Sequence, residues 1–170
     1  AEAKSLWHLM THFPKNKYCE VCMNAKCQRV RHTSGKMGES EVPKKFGDSC
    51  TADHIICRGD KSAGNDNQRD CVMLYDRFTK WLSGVPTKSK SAKEAYRAIA
   101  KFAGAQKIKR MHTDGSKELA KAVEDHKIPV HTSSPPGIPQ SNGLAETMVR
   151  VEVEGTRCEL SQAGLPPCFW

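Results

Sequence analysis

Apolar residues recur along this chain in two rhythms. Between Ser49 and Thr87 they come in short runs, SCTADHIIC, CVMLYDRFTKW and LSGVPT, joined by polar connections such as RGDKSAGNDNQR. Short runs bounded by turn residues predict strands, and three in succession predict an antiparallel meander. From Ser91 the rhythm turns helical. Ser91-Ala-Lys-Glu94 matches the capping box, in which the serine oxygen and the glutamate each satisfy a free backbone N–H of the first turn. The helix it opens carries Ala92, Ala95, Tyr96, Ile99, Phe102 and Ala103 on one side and ends near Gly104. Residues 107–113 predict a strand running into Asp114, and residues 116–127 a helix with Leu119, Ala122, Val123 and His126 inward. IPVHTSS is a further short strand, and PPGIPQSN is a loop in which Asn142 stands at the N-cap position. The last helix then runs from about Gly143 towards Ala163, with Leu144, Met148, Val151, Gly155 and Cys158 as its inward stripe. The order β-β-β-α-β-α-β-α predicts an α/β fold: a mixed sheet with helices packed on it.

The first 47 residues have a different character. Residues 4–12 have helical spacing, which puts His8 and His12 on one face before Pro14 breaks the helix. Cys19-Glu-Val-Cys22 follows. The pattern His-x3-His-x6-Cys-x2-Cys supplies four ligands of the type a tetrahedral structural zinc takes, and a module this small needs the metal to fold. The plainer reading is surface histidines beside an incidental CxxC. Residues 26–47 are polar, basic and broken by Gly and Pro, the signature of a linker. In it Arg29, Arg31, Lys36, Lys44 and Lys45 either track a phosphate backbone or are simply solvated.

Charge sharpens this division. The 170 residues carry a net charge of +8 with a pI near 9.1, which favours a polyanionic partner such as nucleic acid. Residues 1–47 contribute +5 of it, so the basic charge is concentrated in the N-terminal arm. Mean hydropathy is −0.62, and no apolar run near ~18 residues occurs, so neither a membrane span nor a secretory signal is expected. Of eight cysteines only Cys19 and Cys22 have metal-type spacing; the others are scattered as in a reducing compartment. The chain lacks a starting Met and ends on PPCFW, so both ends read as cut from something longer.

Two carboxylates are set by this layout at the end of a strand (Asp114) and in the first turn of a helix (Glu146), with a third, Asp53, inside TADHIIC. Hard divalent cations need oxygen ligands converging from different elements in this way. Asp60, Asp66 and Asp70 compete with Asp53 for the first position but fall in a polar loop, where a fixed ligand is harder to build.

Taken in order, HLMTHFPKNKYCEVCMNAK, LYDRFTKWLSGVPTKSKSAKEA, HTDGSKEL, PPGIPQSNGLAETMVR and LSQAGLPPCFW together resemble the integrases of retroviruses and long-terminal-repeat retrotransposons. The resemblance covers residues 6–170. It implies a ribonuclease H-like fold preceded by a small zinc-binding module: 1–28 zinc-binding, 29–47 linker, 48–170 catalytic core truncated at its C-terminus. It implies an Asp53, Asp114, Glu146 triad holding two Mg²⁺ or Mn²⁺ ions, zinc on His8, His12, Cys19 and Cys22, and Asp76 as a structural residue. The activity implied is DNA integration by phosphoryl transfer, in the nucleus, by a homo-oligomer on retroelement ends and target DNA. Arg150 and Arg157 share a side with Glu146, and with Gln140, Asn142, Lys44 and Lys45 they are the expected DNA contacts. Three features depart from the family pattern: Asp114 runs straight into Gly115-Ser116, Thr147 follows Glu146, and the His-to-Cys spacing of six is short. Two other readings stay open, a catalytically inactive module that binds nucleic acid or protein, and a nuclease that only hydrolyses.

Overall fold

The computed structural model describes residues 2–26, 42–57, 63–135 and 142–170. Gln140, Asp60 and the linker cations Arg29, Arg31 and Lys36 lie outside the described residues. The elements are α1 (Leu6–Thr11), α2 (Glu20–Ala25), β1 (Cys50–Ile56), β2 (Asp70–Asp76), β3 (Leu82–Thr87), α3 (Ala92–Ala103), β4 (Arg110–Thr113), α4 (Lys117–Asp125), β5 (Val130–Ser133) and α5 (Gly143–Ala163). The chain forms two compact units, residues 43–152 and residues 1–42 with 153–170.

In the larger unit the strands form one five-stranded sheet of order β3-β2-β1-β4-β5. The pairs β1–β2 and β2–β3 are antiparallel, as the meander predicts, while β1–β4 and β4–β5 are parallel. Each parallel pair needs a crossover, and α3 and α4 supply the two. This is the mixed sheet with helices packed on it that the element order predicts. β2 is buried along its whole length because it lies inside the sheet with both faces covered. Its side chains alternate between two cores. Val72 and Leu74, with Ala52 of β1, pack against Ala95, Ala98, Ile99 and Phe102 of α3 and Leu119, Ala122 and Val123 of α4. On the opposite face Met73 and Tyr75 pack against Ala145, with Met148 and Val149 beside them. Ser91 caps α3 as its sequence predicts, its Oγ accepting from the Glu94 N–H at 3.4 Å.

The last helix departs in part from expectation: of the predicted stripe Met148 packs on the sheet and Cys158 is buried, but Leu144 does not enter the core. Its sheet side in this unit is Ala145, Met148 and Val149, joined one turn on by Glu152, whereas Leu144 is 37% exposed. Apolar residues occur on several sides of α5, so hydrophobicity alone leaves the inward face open; in the fold Ala145 is the buried residue that clusters with Met73 and Tyr75. Tyr96 is likewise exposed on α3 and stacks on His126 at 4.0 Å between ring centroids, instead of entering the core.

One buried carboxylate organises the approach to β1. Asp76, at the end of β2, accepts from the Gly47 N–H at 3.0 Å and from the Thr79 N–H and hydroxyl, each at 2.7 Å. Gly47 has φ +83°, and a Cβ there would run into the Lys107 carbonyl, so only glycine brings this backbone close enough to serve both neighbours. Asp76 is therefore a structural anchor.

Candidate metal centres

In the smaller unit, α1 and α2 are each six residues long and carry the four predicted ligands within them or at their caps. His8 lies in α1, His12 is its C-cap, Cys19 is the N-cap of α2 and Cys22 lies within it. All four are buried. The Cys22 Sγ stands 3.5 Å from His8 Nε2 and 3.7 Å from His12 Nδ1, and the Cys19 Sγ is 3.5 Å from His12 Nδ1. Zinc bonds of about 2.3 Å to sulfur and about 2.0 Å to nitrogen at the tetrahedral angle separate N and S by about 3.5 Å. The four ligand atoms lie within 4.8 Å of one another, so the cluster has the donors and dimensions to hold a metal ion. Burial pushes the Cys22 thiol up, and Cys19 adds to that; a bound cation reverses the balance by stabilising thiolates. His12 has φ 49°, a left-handed conformation that a non-glycine residue accepts at a cost of order ~1 kcal/mol, here at a position that turns its ring toward the thiols.

The carboxylates gather in the larger unit, where β1 and β4 run parallel. Their last ladder pair is Ala52 with Thr113, and one step further on each strand stand Asp53 and Asp114. Asp53 is opposite Met73 in the β1–β2 register and so faces the α5 side of the sheet, where Ala145 packs on Met73. Glu146 is the next residue of that helix and is exposed. Asp53 is half-buried; its Oδ1 accepts from the His54 N–H at 2.7 Å and its Oδ2 from the Asn142 amide at 3.2 Å. Burial raises the Asp53 carboxyl above the usual range, and the charges of Asp114 and Glu146 raise it further against the two hydrogen bonds. Asp114 and Glu146 are thus each within electrostatic reach of Asp53. Among the described residues, though, only the His8, His12, Cys19, Cys22 set draws three or more ligand atoms to ion-holding distance. Asp114 Oδ1 accepts the Ser116 N–H at 3.1 Å, which turns the chain from β4 into α4.

Of the expected DNA contacts, Arg150 and Arg157 are exposed on α5, and Lys44 and Lys45 are exposed ahead of β1. The Lys44 and Lys45 backbone N–H groups bind Asp48 Oδ2 at 3.0 and 3.1 Å. Asn142 stands directly before α5, as predicted, but its side-chain oxygen makes no capping hydrogen bond among the described residues. Its amide nitrogen reaches Asp53, and its buried Oδ1 has no partner among the described residues. Asp66 and Asp70 take no part: Asp66 binds Gln68 within its own turn, and Asp70 opens β2 at the far end of the β1–β2 ladder. Two neighbours carried no sequence signal. His54 follows Asp53, and both its ring nitrogens are buried without a partner among the described residues. Burial and then Lys90 hold this imidazole below its ordinary value, against Asp114, Asp70 and Glu118. Glu152, two turns of α5 beyond Glu146, keeps a carboxyl that burial raises, with the Gly84 N–H bound to it.

No protein-family model matches the chain. Three curated proteins do in part: it is 29% identical over 163 residues to the retrovirus-related Pol polyprotein from transposon TNT 1-94 of Nicotiana tabacum. It is 32% identical over 166 residues to the Pol polyprotein from transposon RE1 of Arabidopsis thaliana, and 30% identical over 112 residues to that from transposon RE2. These matches cover 91%, 92% and 62% of this chain but only 12%, 11% and 8% of the relatives, so the chain spans a small part of their length. Among solved structures it is similar to a chain of the simian T-cell lymphotropic virus intasome in complex with PP2A regulatory subunit B56 gamma. That likeness has a TM-score of 0.47 and 17% identity over 69% of this chain and 43% of the other. It is also similar to the catalytic core domain of BIV integrase, with a TM-score of 0.42 and 13% identity over 68% of this chain and 82% of that one.

Proposed function

We propose, for a chain whose homologues are the retrovirus-related Pol polyproteins of transposons, the role of an integrase segment that carries out phosphoryl transfer on DNA. The observation that carries this reading is Asp53. Its carboxyl, on a central strand, is raised by burial and by the charges of Asp114 and Glu146, an acid cluster arranged from a strand, a strand end and a helix start. The donor set is all oxygen and suits Mg²⁺ or Mn²⁺, and the unpartnered Oδ1 of Asn142 beside Asp53 adds a further acceptor. Asp53, Asp114 and Glu146 would hold the divalent ions, and such ions would supply Lewis-acid stabilisation of the charge that develops on the reacting oxygens.

The rest of the chemistry belongs to the chain and the DNA. Water, or a DNA 3′-hydroxyl, attacks phosphorus in line; the attacking oxygen gives up its proton to solvent, a new P–O bond forms as the opposite P–O bond breaks, and the departing 3′-oxygen takes a proton from solvent. No enzyme nucleophile takes part, so no Ser, Tyr or Cys is required. Asp53 is held by the His54 N–H and the Asn142 amide, which keep one carboxylate aligned on a rigid strand. Arg150, Arg157, Lys44 and Lys45 are exposed cations suited to phosphates, and in the integrase reading they position the DNA without reading its sequence. Gln140 and Asn142 belong to the loop that approaches the DNA end. The His2Cys2 cluster takes structural zinc. The assembly works as a homo-oligomer on chromosomal DNA in the nucleus.

The openness of the three acids, compared with the closed His2Cys2 set, favours one second reading: a module that binds nucleic acid without cleaving it. Nicking and joining of a labelled duplex in Mn²⁺ decides between them, with Asp114→Asn as the comparison. Joined products that vanish in the variant support the integrase. Nicking without joining supports a nuclease, and DNA binding without either supports the inactive module.

A further inference from the structure

His12 differs from the other three ligands of the His2Cys2 cluster in how it is held. His8 and Cys22 sit inside short helices, and Cys19 caps one. His12 lies past the end of α1 in a left-handed conformation, so its helix does not set the direction of its ring. It meets the thiols through Nδ1, at 3.5 Å from Cys19 and 3.7 Å from Cys22. Its other nitrogen, Nε2, lies 2.7 Å from Oε1 of Gln162, 150 residues further along the chain. A neutral imidazole has one N–H and one lone pair, and a metal needs the lone pair. An amide oxygen only accepts, so Gln162 requires the proton on Nε2 and leaves the Nδ1 lone pair facing the thiols. Gln162 belongs to the same compact unit as His12, and one helical turn before it Cys158 is buried within electrostatic reach of Cys19 and Cys22. The end of α5 therefore turns one face to the cluster.

We infer that Gln162 is a positioning residue for the metal: it selects the Nε2-protonated form of His12 and aims Nδ1 at the ion, so that the C-terminal part of the chain completes the metal module. This rests on the metal-binding reading of the four ligands. Such outer partners typically change metal affinity by about 10–100-fold. Gln162 is exposed, so water can replace part of its hydrogen bond, and the expected loss is roughly tenfold.

The test uses the full chain. Zn²⁺ affinity is measured by competition with a chelator, and the His12 tautomer is read by nitrogen-15 NMR, for the wild type, Gln162→Leu and Gln162→Glu. The expected result is weaker binding and a mixed His12 tautomer in Gln162→Leu, with both restored in Gln162→Glu, whose carboxylate also accepts. Wild-type affinity and a single tautomer in Gln162→Leu overturn the inference while leaving the metal site standing. Equal loss in both variants assigns Gln162 a packing role and also overturns it. A wild type that takes up no Zn²⁺ removes the metal site and the inference together.

Discussion

Asp76 has no exposed surface and accepts from two backbone N–H groups, one hydroxyl and the Cys50 thiol. Burial by itself pushes its carboxyl up, but these donors outweigh burial and hold it below its ordinary value. Its stabilisation is therefore fully present above the usual carboxylate range and is lost as pH falls through the depressed value. Asp76→Asn keeps the shape but removes the charge, and should cost about 2 kcal/mol in urea unfolding at neutral pH, with a smaller penalty in acid. Glu152 has the opposite sign. Burial raises its carboxyl, so the folded chain holds a proton that the unfolded chain has already lost. Stability from this group falls as pH rises from the ordinary carboxylate range through the raised value. Glu152→Gln should flatten that decline and raise stability at neutral pH, read as a pH series of thermal midpoints. Burial also pushes the Cys71 thiol up to about 12, with Glu152 adding to it, so Cys71 should resist alkylation at about pH 8 until the chain unfolds.

Among the elements, α5 links these residues to the site. Ala145, Met148, Val149 and Glu152 recur at helical spacing, and the first three pack with Met73 and Tyr75. A Cβ at Gly84 of β3 would run into Glu152 Oε1 and would come 3.2 Å from the Cys71 Sγ. Gly84→Ala should therefore displace the half-buried Glu152 carboxyl from its N–H partner and destabilise the chain by about 1–3 kcal/mol. In a Glu152→Ala background most of that cost should disappear, which a double-mutant cycle measures. The strands, the Ser91 cap of α3 and the positions of Asp53 and Asp114 were legible because period-two and period-3.6 patterns are local. The inward face of α5 was not, because its apolar residues are spread around the helix and the opposing sheet decides which of them enters the core. The Asn142 side chain shows the same limit. It stands at the N-cap position, yet its oxygen is left without a partner among the described residues while its amide nitrogen reaches a carboxylate 89 residues away in sequence.

On the scale of the whole molecule, residues 1–42 with 153–170 form one compact unit and residues 43–152 another. The first contains two six-residue helices around the His2Cys2 cluster, and the second has a five-stranded sheet covered on both faces. Chelation of metal from the loaded protein should therefore remove the structure of the first unit at a low temperature and leave the sheet unit's unfolding transition in place, as read by calorimetry with and without chelator. Sequence alone determined the α/β class, the succession of strands and helices along the chain, the four His and Cys residues that gather in one cluster and the acids on β1 and just past β4, because each depends on residue type and short-range period. Only the tertiary structure decided that Asp53 feels the charges of Asp114 and Glu146, which side of α5 meets the sheet, and that Gln162 stands behind His12. Those facts depend on which distant segments pack together, and packing is settled by the shape and burial of the whole chain, which no local spacing encodes.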